Sequence, residues 1–148
     1  MMILVLHGPN LNLLGWREPE VYGTTTLEDV NALCTATAAE LGLQVECHQS
    51  NHEGHLIDKI HAYGRLHREG QALGAVFNPG ALTHTSIALH DAIKGTGLPV
   101  VEVHLTNVHA RESFRHHSWI SPVALGTVVG LGIHGYELAI RALAKRAP

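Results

Sequence analysis

Arg17 and Tyr22, five positions apart in the segment REPEVYG, are a candidate pair for acid–base chemistry. A guanidinium beside a phenol favours the phenolate and lowers its pKa from the ordinary value of about 10, which makes the phenol a usable base. The alternative is a tyrosine whose ring packs on the core while Arg17 lies at the surface. Pro19 and Gly23 bracket a segment of suitable length for a mobile lid that excludes water from a pocket.

Glu102 and His104 form a second candidate pair. They lie two positions apart in VEVHLTN, so they project from the same face of a strand. A carboxylate in that position fixes the tautomer of the histidine and favours its protonated form, as a general acid requires. The alternative is a pair at a strand end that faces solvent.

Neutral polar groups occur in two further segments, HGPNLNLLG and FNPGALTHTS. Asn10 and Asn78 each carry an amide that donates and accepts, which suits a group that positions a water or a developing oxyanion. Each asparagine could instead close a turn through its own backbone. The hydroxyls of THTS, residues 83–86, are predicted to cap a helix, and His84 in its first turn is more useful neutral, as a hydrogen-bond partner.

Other chemistries fit the sequence poorly. Among 13 histidines, His48, His52 and His55 have a spacing that suits metal ligands, but no fourth ligand is evident, and we expect no metal. The three lysines fall on predicted helices, which disfavours a Schiff base. Cys34 and Cys47 are isolated and are predicted to be buried apolar side chains. A net charge of -3 and 5% aromatic residues disfavour nucleic acid as a partner.

The elements that position these residues alternate along the chain between short apolar runs and helical patterns. Helices are predicted over about 26–41, 53–69 and 85–95, with a last one through YELAIRALAK. The five predicted strands lie in MILVLHG, LQVECHQS, LGAVFNPG, PVVEVHLT and GTVVGLG. This order predicts an α/β protein of one domain, residues 1–148, with a five-stranded parallel sheet in a flavodoxin-like three-layer sandwich.

Ligands of such sheets bind outside the carboxyl ends of the strands. The polar segments after the first, third and fourth strands are therefore predicted to converge on one pocket, and HQSNHEGH after the second strand is given less weight. No apolar run approaches the ~18 residues that span a bilayer, and the first residues lack the features of a signal peptide. We expect a cytoplasmic protein with no membrane contact.

Four motifs occur in register across these loops: HGPNLNLLG, REPEVYG, FNPGALTHTS and EVHLTNVHARESFR. Together they resemble type II 3-dehydroquinate dehydratases, and the resemblance covers essentially the whole chain. It implies anti elimination of water from 3-dehydroquinate to 3-dehydroshikimate through an enolate, without cofactor, metal or covalent intermediate. The rival hypotheses are a non-catalytic flavodoxin-like module that binds a small anionic ligand and a histidine-rich metal-binding protein.

The resemblance also implies catalytic roles. Tyr22 would take the C2 proton, and Arg17 would lower its pKa and stabilise the transition state. Asn10 would hold the water that hydrogen-bonds the enolate oxygen. His104, oriented by Glu102, would protonate the leaving C1 hydroxyl.

The binding roles come from the same motifs. Asn78 would lie beside the leaving hydroxyl, and the backbone amides of Leu105 and Thr106 would bind the substrate carboxylate. His84 and Arg115 would bind the ring hydroxyls of the substrate.

The resemblance further implies a homododecamer built as a tetramer of trimers, in which Asp91 reaches the site of a neighbouring subunit. His109 and Arg111 match the same motif but are assigned only to loop structure. His7 stands where asparagine is often found in this family, and it is placed outside the reacting groups.

Overall fold

One parallel sheet organises the molecule. The computed structural model describes residues 1–16 and 18–148, with the side chain of Tyr22 outside the description. In these residues five strands form the sheet in the order β2-β1-β3-β4-β5. They are β1 (Met2–His7), β2 (Gln44–Gln49), β3 (Ala72–Asn78), β4 (Val100–His104) and β5 (Gly126–Val129). The predicted flavodoxin-like α/β fold is confirmed.

The helices cover both faces of the sheet. They are α1 (Pro19–Tyr22), α2 (Leu27–Glu40), α3 (Glu53–Arg68), α4 (Ile87–Thr96) and α5 (His134–Ala144). Alternate residues of β1 enter different cores because successive side chains of a strand point to opposite faces. Ile3 packs in the core beneath α2 and α5, whereas Leu4 packs in the core beneath α3 and α4. Burial on both faces explains why β1, β3 and β4 are apolar nearly throughout.

Helix boundaries follow local capping chemistry. Thr26 and Asp29 form a capping box at the start of α2, in which each side chain accepts a hydrogen bond from the backbone of the other. Ser86 caps α4 by accepting a hydrogen bond from the backbone N–H of Leu89. The helix α4 starts at Ile87, slightly later than the predicted start at about residue 85. Residues 80–84 before it form a separate 3₁₀ helix.

The loops after β1 and β3 interlock. Gly8 donates its backbone N–H to the carbonyl oxygen of Asn78 at 2.8 Å. A Cβ atom at Gly8 would lie 2.3 Å from the carbonyl oxygen of Pro79, so only glycine allows this approach. Gly80 has a φ of +60° and packs against Pro9 in the same way. The glycine-proline pairs of the two segments thus hold the two loops side by side.

Candidate active site

A cavity lies at the carboxyl ends of β1, β3 and β4, where the loops were predicted to converge. Its wall includes seven of the predicted site residues: Asn10, Asn78, His84, His104, Leu105, Thr106 and Arg115. Glu102 lies behind His104, away from this wall. Asp91 lies on α4 with a side chain that is 72% exposed and contacts His90. The structure thus brings seven of the eleven predicted site residues to the wall of one cavity.

The Glu102 and His104 side chains are hydrogen-bonded to each other. Nε2 of His104 lies 2.5 Å from Oε2 of Glu102, and both residues are buried. A carboxylate accepts, so Nε2 carries the proton and Nδ1 is the ring nitrogen left for a ligand. The sequence allowed either a carboxylate that orients His104 or a pair at a strand end that faces solvent, and the structure has the first, because both side chains are buried.

Three hydroxyl groups surround the Glu102 carboxylate. Thr83 donates to Oε2 at 2.5 Å, Ser121 donates to Oε1 at 2.6 Å, and Ser118 lies 3.0 Å from both oxygens. Burial by itself raises the pKa of the Glu102 carboxyl. The hydrogen bond and the charge of His104, together with hydrogen bonds from Ser121 and Thr83, lower it by more. The pKa of Glu102 therefore lies below its ordinary value. Glu102 is thus an ionised acceptor for the Nε2–H of His104.

This arrangement corrects one prediction about THTS. Of its three hydroxyls, only Ser86 caps a helix. Thr83 is buried and turns its hydroxyl to Glu102, while Thr85 is exposed. The reason is that the 3₁₀ helix before α4 turns Thr83 toward β4. Nothing local in the sequence signals this contact, because the partner lies 19 residues away.

His84 ends that 3₁₀ helix at the edge of the cavity. Its Nδ1 lies 2.8 Å from the carbonyl oxygen of His117, so Nδ1 carries a proton and donates to it. In the neutral ring Nε2 is then an acceptor. Nε2 is thus the ring nitrogen of His84 left for a ligand, and the use of His84 as a hydrogen-bond partner of the substrate stays a prediction.

Asn10 has a left-handed backbone with a φ of 69°, a conformation that asparagine tolerates. Its backbone N–H donates to Oδ1 of Asn51 at 3.0 Å, and Gln49 donates to the same oxygen at 3.1 Å. Gln49 also donates to the carbonyl oxygen of Gly8. The segment after β2, which was given less weight, therefore supports the loop that carries Asn10.

Asn78 ends β3 and is buried. Its Oδ1 accepts from the backbone N–H of Gly80 at 3.1 Å, and its Nδ2 donates to the hydroxyl of Tyr136 at 3.1 Å. The amide therefore closes a turn, and it also lines the cavity. The turn-closing interpretation of Asn78 is confirmed. Its use toward a ligand stays a prediction, which the turn allows because an amide has more hydrogen-bonding capacity than the turn consumes.

Two arginines place positive charge at the cavity wall. Arg115 was predicted there, and its Nε donates to Glu112 at 2.8 Å. Arg111, which was assigned only to loop structure, also lines the cavity, and its Nη1 donates to the Thr106 hydroxyl at 3.3 Å. Its position in the motif EVHLTNVHARESFR, four residues before Arg115, was the available signal.

The structure describes only the backbone of Tyr22 from the predicted pair of Arg17 and Tyr22. Arg17 lies outside the described residues, and so does the side chain of Tyr22. The backbone of residues 19–22 forms the single turn α1, and Gly23 follows with a φ of 73°. The proposed base and its guanidinium therefore stay predictions.

The described residues offer little support for a cysteine nucleophile, a metal site or a membrane span. Burial raises the pKa of the Cys34 thiol to about 12 and that of Cys47 to about 11, so neither is a nucleophile near neutral pH. No group of three or more His, Cys, Asp or Glu side chains among the described residues could hold a metal ion. None of the described helices has the length and apolar character to cross a membrane.

The fold and the site define a flavodoxin-like α/β protein with an acid–base pair at the carboxyl ends of its strands. The family model described as Dehydroquinase class II matches residues 1–144. The chain belongs to this family, which confirms the resemblance drawn from the four motifs.

Named relatives and solved structures agree with this assignment. A 3-dehydroquinate dehydratase of Marinomonas sp. (strain MWYL1) is 64% identical over 144 residues, which are 97% of this chain and 96% of the relative. Catabolic 3-dehydroquinase 2 of Aspergillus flavus is 58% identical, over 94% of this chain and 89% of the relative. The crystal structure of type II dehydroquinase from Propionibacterium acnes matches with a TM-score of 0.90 and 45% identity, over 97% of this chain and 96% of that one.

Proposed function

We propose that the protein is a 3-dehydroquinate dehydratase, which removes water from 3-dehydroquinate to give 3-dehydroshikimate. The observation that carries the proposal is the buried hydrogen bond by which Glu102, from behind, holds His104 at the wall of a cavity. Asn10, Asn78 and Arg115 line the same cavity. Elimination of water from a polyhydroxy acid needs a group that protonates the leaving hydroxyl and polar groups that bind the substrate around it, and these residues can supply both. Family membership supports the same reaction.

Proton abstraction begins the reaction. Tyr22, with its phenolate favoured by Arg17, takes the proton from C2 beside the ketone, and the electron pair of that C–H bond moves to the C3 oxygen as an enolate. The charge that arrives on this oxygen limits such a step, so a donor placed there lowers the barrier. Asn10 supplies that donor through a bound water.

Departure of the C1 hydroxyl completes the elimination. His104 donates its Nδ1 proton to the leaving oxygen while the enolate collapses to form the C1–C2 double bond, and water leaves. Glu102 holds Nε2 and stabilises the protonated ring, because four polar side chains keep its carboxylate ionised. Asn78 lines the same wall, where we infer that its amide lies beside the leaving hydroxyl.

The substrate carboxylate and hydroxyls are bound around this centre. The backbone amides of Leu105 and Thr106, directly after β4, bind the carboxylate. His84 and Arg115 bind ring hydroxyls, with Nε2 of His84 as an acceptor. Arg111 adds a second positive charge close to Thr106, which favours an anionic substrate.

The site is completed by a neighbouring subunit in the proposed assembly. Asp91 reaches into the next site in a homododecamer built as a tetramer of trimers, and its exposed position on α4 supports this role. The enzyme acts in the cytoplasm as one domain, without cofactor, in the shikimate pathway that leads to chorismate and the aromatic amino acids. Light scattering coupled to gel filtration measures the assembly, and a monomer of full activity would contradict it.

Ultraviolet absorbance of the purified protein mixed with 3-dehydroquinate tests the function. We expect the absorbance of the conjugated enone product to rise, and to rise equally after borohydride treatment, because no imine is formed. Folded protein that yields no product would contradict the catalytic function. Loss of activity after borohydride and substrate would contradict the imine-free route.

A further inference from the structure

A chain of hydrogen bonds runs through the core from α2 to the cavity. Nε2 of His7 lies 2.8 Å from Oδ1 of Asn31, and Nδ1 of His7 lies 3.0 Å from the hydroxyl of Tyr136. The same hydroxyl accepts a hydrogen bond from Nδ2 of Asn78 at 3.1 Å. His7 and Tyr136 are 0% exposed, so bulk water does not compete for these bonds.

The chain has one consistent direction. Oδ1 of Asn31 can only accept, so Nε2 of His7 carries its proton and Nδ1 is bare in the neutral ring. The Tyr136 hydroxyl must then donate to Nδ1, which leaves its oxygen to accept from Asn78. Burial lowers the pKa of His7 to about 4, which keeps the ring neutral near pH 7.

Asn78 receives its orientation at the end of this chain. Its Nδ2 is held by Tyr136 and its Oδ1 by the backbone N–H of Gly80, so a flip of the amide would place two donors or two acceptors face to face. One hydrogen of Nδ2 remains unused in these two bonds. Asn78 lines the cavity beside His104, where that hydrogen can meet a ligand.

We propose that His7 and Tyr136 are positioning residues of the active site, which fix the Asn78 amide so that its remaining N–H donates to the leaving hydroxyl of the substrate. This inference rests on the proposed dehydratase function. The proposal gives His7 a positioning role in the active site, whereas the sequence alone placed His7 outside the reacting groups. A buried polar chain is costly unless every member is satisfied, and here each of the three side chains finds its partner.

Removal of one hydroxyl tests the proposal. We expect Tyr136→Phe to lower kcat about tenfold with less than about a twofold change in KM. The reason is that the substitution removes one hydrogen bond that orients Asn78 but no group that binds the substrate. Tyr63→Phe is the matched control and should leave kcat unchanged, because the part-buried Tyr63 hydroxyl donates to Glu46 on the opposite side of the sheet. A Tyr136→Phe enzyme with the kcat of the wild type would overturn the proposal.

A double-mutant comparison separates positioning from general structural damage. If Tyr136 acts through Asn78, the Asn78→Ala and Asn78→Ala/Tyr136→Phe enzymes should have the same kcat. A further tenfold loss in the double variant would overturn the proposal, because Tyr136 would then act independently of Asn78. Denaturant midpoints of all variants show whether each one is folded under assay conditions.

The histidine tautomer gives a measurement that needs no turnover. Nitrogen-15 NMR of the wild-type protein should show His7 neutral, with the proton on Nε2, and its Nδ1 resonance should shift in Tyr136→Phe. A proton on Nδ1 would overturn the direction of the chain. Wild-type protein without activity but with this tautomer would contradict the dehydratase function alone, so the two failures are distinguishable.

Discussion

Thr83 donates a hydrogen bond to Oε2 of Glu102, the same carboxylate oxygen that accepts from His104. One buried oxygen therefore links the hydroxyl before α4 to the proposed general acid at the end of β4. Because the hydroxyl stabilises the ionised carboxylate, it acts on the histidine through that charge. Substitutions at both ends of this contact test the proposed mechanism.

We expect Thr83→Val to lower kcat about tenfold, since valine keeps the shape of threonine and removes a hydrogen bond to a charged group. The pKa of the Glu102 carboxyl should rise, which moves the acidic limb of the kcat–pH profile to higher pH. Thr85→Val, two residues along and exposed, is the control and should match the wild type. An unchanged acidic limb in Thr83→Val would show that the hydroxyl does not support Glu102.

His104→Ala should lower kcat by at least about 10²-fold, because a general acid contributes ~10²–10⁴. Steady-state turnover of 3-dehydroquinate measures the loss. His61→Ala, at an exposed position on α3, controls for removal of an imidazole in general. If His104→Ala loses less than about tenfold, another group protonates the leaving hydroxyl.

Tyr22→Phe should abolish nearly all turnover, because phenylalanine cannot accept the C2 proton. Arg17→Met should lower kcat strongly with little change in KM, since the guanidinium acts on the phenolate and the transition state. Glu20→Gln, an exposed change in α1, is the control. Near-wild-type turnover in Tyr22→Phe would assign the base elsewhere, and a pure KM effect would make Arg17 a binding residue.

The buried His7 makes folding stability depend on pH. The folded protein binds a proton at His7 only below about pH 4, whereas the unfolded chain binds one below about 6.5. Between these values the unfolded state holds more protons, so the free energy of unfolding falls as the pH falls. From pH 7 to pH 5 the loss from His7 is about 2 kcal/mol.

Urea unfolding at the two pH values measures this loss. His7→Asn lacks the titrating ring, so its free energy of unfolding should fall less between pH 7 and pH 5 than that of the wild type. The comparison cancels contributions from other groups, such as His48, whose pKa is also lowered by burial. Equal losses in both proteins would show that His7 is not buried as a neutral ring.

Gly8→Ala should lower the free energy of unfolding by about 2 kcal/mol or more, because its Cβ atom would overlap the backbone oxygen of Pro79. Thermal and denaturant melts measure the change. Gly54→Ala is the matched control, since a Cβ atom there meets nothing within 4 Å and alanine favours α3. A Gly8→Ala protein as stable as the wild type would show that the loops after β1 and β3 do not need this close approach.

Much of the fold follows from patterns that are local in the chain. Apolar runs of strand length predict β1, β3 and β4 as buried strands, and the parallel order predicts that their following loops meet. The period of two along a strand predicts that Glu102 and His104 share a face. The capping chemistry at Thr26 and Ser86 is equally local. These features depend on residues close in sequence, so they can be derived without coordinates.

The contacts that support the site are of another kind. Thr83 meets Glu102 across 19 residues, Asn51 meets Asn10 across 41, and Tyr136 meets His7 across 129. Each depends on how a helix or a loop packs against the sheet, and side-chain packing between distant elements leaves no periodic trace in the sequence. The chain alone therefore predicts which residues are candidates for the chemistry and the edge of the sheet where the loops that carry them lie. Packing determines which buried hydroxyls, amides and rings hold those groups in place, because only folding brings these partners within hydrogen-bonding distance.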